Sequence, residues 1–189
     1  MEPPTVISQF DHVASLSPRK TAIFWGTERI RYDELRSRIT TYAAILQRDA
    51  VVVPGTRVGI LLKNSPEFIF ALYAALQSGA TVVPINTFLK VPEIQHIVDD
   101  CGLKCLITDD SFTETTSRLQ CVQLISPQQL GATTAAQPAW PAVQPSDLAL
   151  IIYTSGTTGK SKGAMLTHAN IAPTSVVASR RSKRRRTTV

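Results

Sequence analysis

The sequence predicts an α/β fold built around a mainly parallel sheet. Three observations carry that expectation. From Val58 onward, short apolar runs alternate with stretches of helical period. Pro66 and Pro92 open two of the helical stretches, and Gly79 and Gly102 close them. The run Leu148-Ala149-Leu150-Ile151-Ile152-Tyr153 is apolar without a break, as in a strand covered on both faces. Alternating strands and helices then imply right-handed crossovers between parallel strands.

The elements follow in order. Ile7, Phe10, Val13 and Ala14 are spaced for a helix, and Pro18 ends it. Thr21 to Trp25 reads as a strand, Gly26-Thr27 as a turn, and Arg29 to Arg31 as the returning arm of a hairpin. A helix spans about Asp33 to Arg48, with Leu35, Ile39, Tyr42, Ala43 and Leu46 on one face. Pro54-Gly55 turns the chain into a strand over Val58 to Leu62. Ser65-Pro66-Glu67 is a helix start: a capping hydroxyl, a first-turn proline and an acid favoured by the dipole. That helix presents Phe68, Leu72, Tyr73 and Leu76, and Thr81 to Ile85 is the next strand. Pro92 opens a helix carrying Ile94, Ile97 and Val98, and Lys104 to Thr108 is again a strand. A weak helix spans Ser111 to Leu119, and Cys121 to Ile125 is strand-like. Ser126 to Asp147, rich in Pro, Ala, Gln and Thr, reads as an irregular surface connection.

The net charge of +6 is local. Arg180, Arg181, Lys183, Arg184, Arg185 and Arg186 carry it; without them the 189-residue chain has 14 basic and 14 acidic residues. No apolar run approaches the roughly 18 residues of a membrane span, and Met1-Glu2-Pro3-Pro4 does not open a signal pattern. Cys101, Cys105 and Cys121 have no companion histidines at ligand spacing and read as buried thiols, which points to the cytoplasm. Asp99-Asp100 and Asp109-Asp110 sit at element ends and read as solvated acids, so no metal site is assigned. His12 and His96 lie on amphipathic helices as surface or boundary residues.

The chemistry concentrates in Tyr153-Thr154-Ser155-Gly156-Thr157-Thr158-Gly159-Lys160-Ser161-Lys162-Gly163. Glycines let a backbone approach a ligand, and successive N–H groups form a concave anion site. Hydroxyls add donors and lysine adds a point charge. Within it, Gly159-Lys160-Ser161 matches the ending of a Walker A loop, but that loop needs a glycine five positions before Gly159, where Thr154 stands.

The run resembles instead the phosphate loop of the adenylate-forming superfamily, which includes acyl-CoA synthetases, luciferases and peptide-synthetase adenylation domains. It departs once, at Ser161, where proline is usual and would stiffen the loop. Met165-Leu166-Thr167-His168-Ala169-Asn170 continues the likeness. Ile30-Arg31-Tyr32-Asp33-Glu34-Leu35 and the segment from Leu76 through Gly79 to Val83-Pro84-Ile85-Asn86 resemble two earlier family segments in the same order. The resemblance covers about residues 5–171 and implies the N-terminal part of the family's large domain (residues 1–171), followed by a basic tail (residues 172–189).

What the resemblance implies is a two-step reaction. A carboxylate attacks the α-phosphate of ATP to give an acyl-adenylate and pyrophosphate, and a thiol, often coenzyme A, takes the acyl group. The acid is expected to be fatty or aryl. The first step brings anion against anion, so charge neutralisation and alignment are the main tasks. Thr154, Ser155, Thr157 and Thr158 are then the expected hydroxyl and backbone donors to the β- and γ-phosphates, with Gly156 and Gly159 permitting the approach. Lys162 matches the family's loop lysine and is the catalytic candidate, while Lys160 holds a variable position and reads as solvent-facing. His168, beside a capping Thr167, reads as structural.

The family's later segments supply the adenine and acyl pockets, a Mg2+-binding glutamate, a ribose-binding aspartate and a mobile domain with a catalytic lysine. This sequence does not contain them, so a fragment inactive by itself is expected. The strand Leu148 to Tyr153 is expected to lack later neighbours, leaving an exposed edge prone to self-association. The tail stays open to three readings: a non-native C-terminus, a basic arm for nucleic acid or anionic lipid, or a solvated end.

Overall fold

In the computed structural model, which describes residues 4–50, 52–120, 122–131, 139–154 and 160–172, the sequence alternation becomes a six-stranded sheet with helices on both faces and a separate two-stranded hairpin. Thr5 caps helix α1 (Val6–Leu16) by accepting from the Ser8 amide. Strands β1 (Thr21–Trp25) and β2 (Glu28–Arg31) form the antiparallel hairpin. Helix α2 (Tyr32–Asp49) follows, with Leu35, Ile39, Tyr42, Ala43 and Leu46 buried along the expected face.

Strand β3 (Arg57–Leu61) opens the large sheet. Helix α3 (Pro66–Gln77) starts at Ser65, whose hydroxyl accepts from the Phe68 amide at 3.3 Å. Its most buried face is Phe70, Ala71, Ala74, Ala75 and Leu76, whereas Phe68, Leu72 and Tyr73 are half-buried at its rim. The alanines decide this shift. Their small side chains let α3 and α2 approach closely enough for the Ser78 hydroxyl to reach the Ala43 carbonyl at 3.4 Å.

Strand β4 (Thr81–Pro84), helix α4 (Val91–Cys101) and strand β5 (Cys105–Thr108) come next. Gly102 stops α4 in the left-handed conformation at φ 61°, which only glycine adopts without strain. The weak helix is a 3-10 turn (Asp110–Phe112) leading into the single turn α5 (Thr113–Thr116). Strand β6 (Gln123–Ile125) follows. The expected irregular connection holds a short helix, α6 (Pro127–Gly131), because Leu130 is fully buried in the core beside α2.

Strand β7 (Leu148–Thr154) does not end the sheet as expected. It pairs antiparallel with β8 (Lys162–Thr167), so β8 is the outer strand. The strand order is β6-β5-β3-β4-β7-β8, with every pair parallel except the last. The chain starts at the centre in β3, steps to β4, and crosses back over β3 to β5 and β6. It then returns to place β7 beside β4. The winding therefore reverses at β3 and β4, with α3 in the core on one face and α4 in the core on the other. A crevice forms outside the carboxyl ends of strands at such a switch point.

Cys101 and Cys105 are buried free thiols, and burial pushes Cys105 up to about 12. Cys121 and the basic residues 173–189 lie outside the described residues. Among the described residues no helix is long and apolar enough to cross a membrane.

The helical turn over residues 168–172 begins behind Thr167, whose hydroxyl accepts from the Asn170 amide at 3.2 Å. His168 is 1 % exposed, and its Nδ1 accepts from the Val6 amide at 3.3 Å, tying α1 to the end of the large sheet. That contact requires Nδ1 without a proton. Burial holds the imidazole below its ordinary value, with Asp147 opposing weakly. The unfolded chain, near 6.5, therefore binds more protons than the folded one once the pH drops below that value. Stability should be full above pH 6.5 and fall as the pH drops towards the depressed folded value. His168→Asn, which keeps an acceptor without titrating, should flatten this part of the Tm-against-pH curve. An unchanged slope in the variant would place the titration elsewhere.

Candidate functional site

The carboxyl ends of β3, β4 and β7 open into one cleft of about 1330 Å³. Leu62, Lys63 and Asn64 contribute its wall after β3, and Pro84 to Leu89 contribute it after β4. Ile152, Tyr153 and Thr154 line it from β7, and Lys160 and Ser161 from the far end of the connection to β8. Pro92, Glu93 and His96 of α4 form the opposing side. Phe68 at the start of α3 adds apolar surface.

The turn after β4 is shaped by Asn86. Its Oδ1 accepts from the Phe88 amide at 3.0 Å and its carbonyl from the Leu89 amide at 3.1 Å. This turn raises Phe88 to the cleft rim, where it is 91 % exposed.

The chemically dense run occupies the junction of β7 and β8. Thr154 ends β7, exposed and on the cleft wall. Lys162 begins β8 directly opposite Thr154 and is exposed. It thus lies in a strand rather than in the loop. Opposed residues of an antiparallel pair share a face, so Lys162 and Thr154 point the same way. Among the described cleft-lining residues Lys160 appears and Lys162 does not. Ser155, Gly156, Thr157, Thr158 and Gly159 lie outside the described residues.

Gly163 has a packing reason to be glycine. A Cβ there would stand 2.6 Å from Cγ2 of Ile151 and 3.1 Å from Cζ of Tyr153. Both side chains belong to the core under α4.

Tyr153 fixes the near end of the junction. Its hydroxyl donates to Oδ2 of Asp100 at 2.5 Å. Burial first, and then this carboxylate, push the phenol well above its usual range, so it stays protonated and able to donate. The Tyr153 ring meets the His96 ring edge-on, with centroids 6.5 Å apart. Nε2 of His96 lies 3.1 Å from the Ser161 carbonyl oxygen.

His96, Asn86, Phe88 and Asp100 were not singled out as site residues from sequence. The usable signal is positional for three of them: Asn86 and Phe88 lie in the turn after β4 and His96 midway along α4, which a reversal of strand order at β4 aims at the crevice, whereas Asp100 stands near the end of α4. Among the described residues no group of three or more His, Cys, Asp or Glu side chains is arranged to hold a metal ion.

The family model described as AMP-binding enzyme matches residues 10–188. Feruloyl-CoA synthase of Amycolatopsis sp is 40% identical over 160 residues, covering 84% of this chain and 32% of that protein. Tyrocidine synthase 1 of Brevibacillus parabrevis is 34% identical over 166 residues, covering 86% of this chain and 15% of that protein. Among solved structures, o-succinylbenzoate CoA synthetase of Bacillus subtilis, in complex with the acyl-adenylate intermediate OSB-AMP, matches with a TM-score of 0.83 and 29% identity. That match covers 93% of this chain and 46% of the other. The NpsA N-terminal subdomain of Klebsiella oxytoca matches with a TM-score of 0.81 and 28% identity, covering 91% of this chain and 44% of the other. The chain thus spans about a third of the feruloyl-CoA synthase it matches.

Proposed function

The chain belongs to the family of AMP-binding, adenylate-forming enzymes, and from that premise we propose that it forms the phosphate-holding part of an acid-activating ligase. The supporting observation is one of placement. The described ends of the glycine- and hydroxyl-rich run, Thr154 on one side and Lys160 and Ser161 on the other, line the cleft beside β4, where the winding of the sheet reverses. Anionic ligands of open α/β sheets sit at such crevices.

In this reading a carboxylate oxygen attacks the α-phosphorus of ATP. The acyl–phosphate bond forms, the bond to the bridging oxygen breaks, and pyrophosphate leaves. The carboxylate needs no general base, so the protein's work is to neutralise and align. Thr154, Ser155, Thr157 and Thr158 donate to the departing phosphates, Gly156 and Gly159 leave room for them, and Lys162 offsets their charge. Mg2+ would accompany ATP; no residue of this chain is assigned to it. In the second step a thiol sulfur attacks the acyl carbon and AMP leaves. The 40% identity to a feruloyl-CoA synthase favours coenzyme A as that thiol and an aryl acid as substrate. Phe68, Phe88 and Tyr153 on the cleft wall suit a flat acid.

Equilibrium titration tests the nucleotide half of this reading. The 189-residue chain should bind ATP, and pyrophosphate should compete while adenosine does not. Competition by adenosine alone would put the grip on the wrong end of the nucleotide. Pyrophosphate release that needs ATP and a hydroxycinnamic acid together, in a protein of full family length carrying this segment, is the matching result for the acid.

A further inference from the structure

Helix α4 holds both ends of the β7–β8 connection. At the near end, the Tyr153 hydroxyl donates to Asp100. At the far end, the Ser161 carbonyl oxygen lies 3.1 Å from Nε2 of His96. A carbonyl only accepts, so His96 carries a proton on Nε2 and donates it. His96 and Asp100 are four residues apart on α4, and therefore stand on one face of it, one turn above the other. The edge-on contact of the His96 and Tyr153 rings joins the two anchors into one unit.

Ser161 leaves the backbone free to rotate where a proline would fix φ near −65°. At this same residue His96 reaches across from α4 to the carbonyl oxygen. We propose that His96 is a positioning residue, which pins the far end of the connection in place of a stiffening proline. This rests on the reading that the connection grips phosphate, but the pinning has its own readout.

That readout is amide hydrogen exchange across residues 160–164 of the full chain, without nucleotide. His96→Ala should speed it about three- to tenfold, the equilibrium worth of one hydrogen bond, with Tm and exchange in β3 to β5 unchanged. His96→Gln, which keeps an N–H at the tip of a side chain of similar reach, should restore slow exchange. Ser161→Pro added to His96→Ala should also restore it. Local exchange unchanged in His96→Ala, or equally fast in His96→Gln, would overturn the proposal. A parallel ATP titration separates the two claims. If exchange behaves as stated and ATP does not bind even the unaltered chain, the pinning stands and the phosphate reading falls. If ATP binds the unaltered chain and His96→Ala alters neither affinity nor exchange, the phosphate reading stands and the pinning falls.

Discussion

Lys162→Ala is expected to weaken ATP binding by roughly ten- to a hundredfold, the worth of one hydrogen bond to a charged group, and Lys160→Ala by clearly less. Both lysines are exposed at the same junction, so charge alone does not separate them. Backbone order does. Lys162 is paired in β8 against Thr154, so the root of its side chain is fixed on the face of a residue that lines the cleft. Lys160 lines the cleft but precedes the ladder. Lys160 lacks the fixed strand register of Lys162, so its side chain is expected to lose more freedom on a ligand, which offsets part of the gain. Titration of both variants at one ionic strength checks this, because exposed charges are sensitive to salt. Equal losses, or a larger loss at Lys160, would move the neutralising charge to the other lysine.

A large loss of stability is expected from Gly163→Ala. The added Cβ would meet Ile151 Cγ2 at 2.6 Å, nearer than carbon atoms settle, and the Tyr153 ring at 3.1 and 3.2 Å. Neither neighbour yields readily. Cγ2 is a branch of a β-branched side chain, stiff at χ1, and Ile151 is 6 % exposed in the core under α4. Tyr153 is tethered through its hydroxyl to Asp100. Overpacking of this kind costs about 1–3 kcal/mol, which for a chain of this size lowers Tm by roughly 2–4 °C per kcal/mol. Because Tyr153 anchors the connection, ATP affinity should fall as well. A variant that melts with the parent would show that β8 stands further from β7 than described here.

Much of the scaffold was legible in the sequence because local chemistry decides it. Ser65-Pro66-Glu67 starts α3 and Gly102 stops α4 where capping chemistry places them. The apolar face of α2 was readable because its spacing is helical over 18 residues. Strand β8 was not. As an outer strand it buries little, so Lys162 to Thr167 show no alternation of apolar and polar residues, and Met165 is left 68 % exposed. Helix α6 was hidden because five residues carry no period, and only the distant contact with α2 gives Leu130 its place in the core.

The site divides in the same way. Thr154 and Lys162 could be picked out because they sit in a run of unusual composition. His96 could not, since a lone histidine on an amphipathic helix has no local signature. Its partner Ser161 is 65 residues away and reaches it only because β7 inserts beside β4. Strand order, not local pattern, creates that contact.

The claim that the β7–β8 junction grasps a nucleotide's phosphates is tested most directly by locating the amides that ATP protects from exchange. Protection confined to residues 154–162, reproduced by pyrophosphate and absent with adenosine, is the outcome that follows from it. Protection that falls elsewhere on the chain, or no change at the junction under saturating ATP, would contradict it.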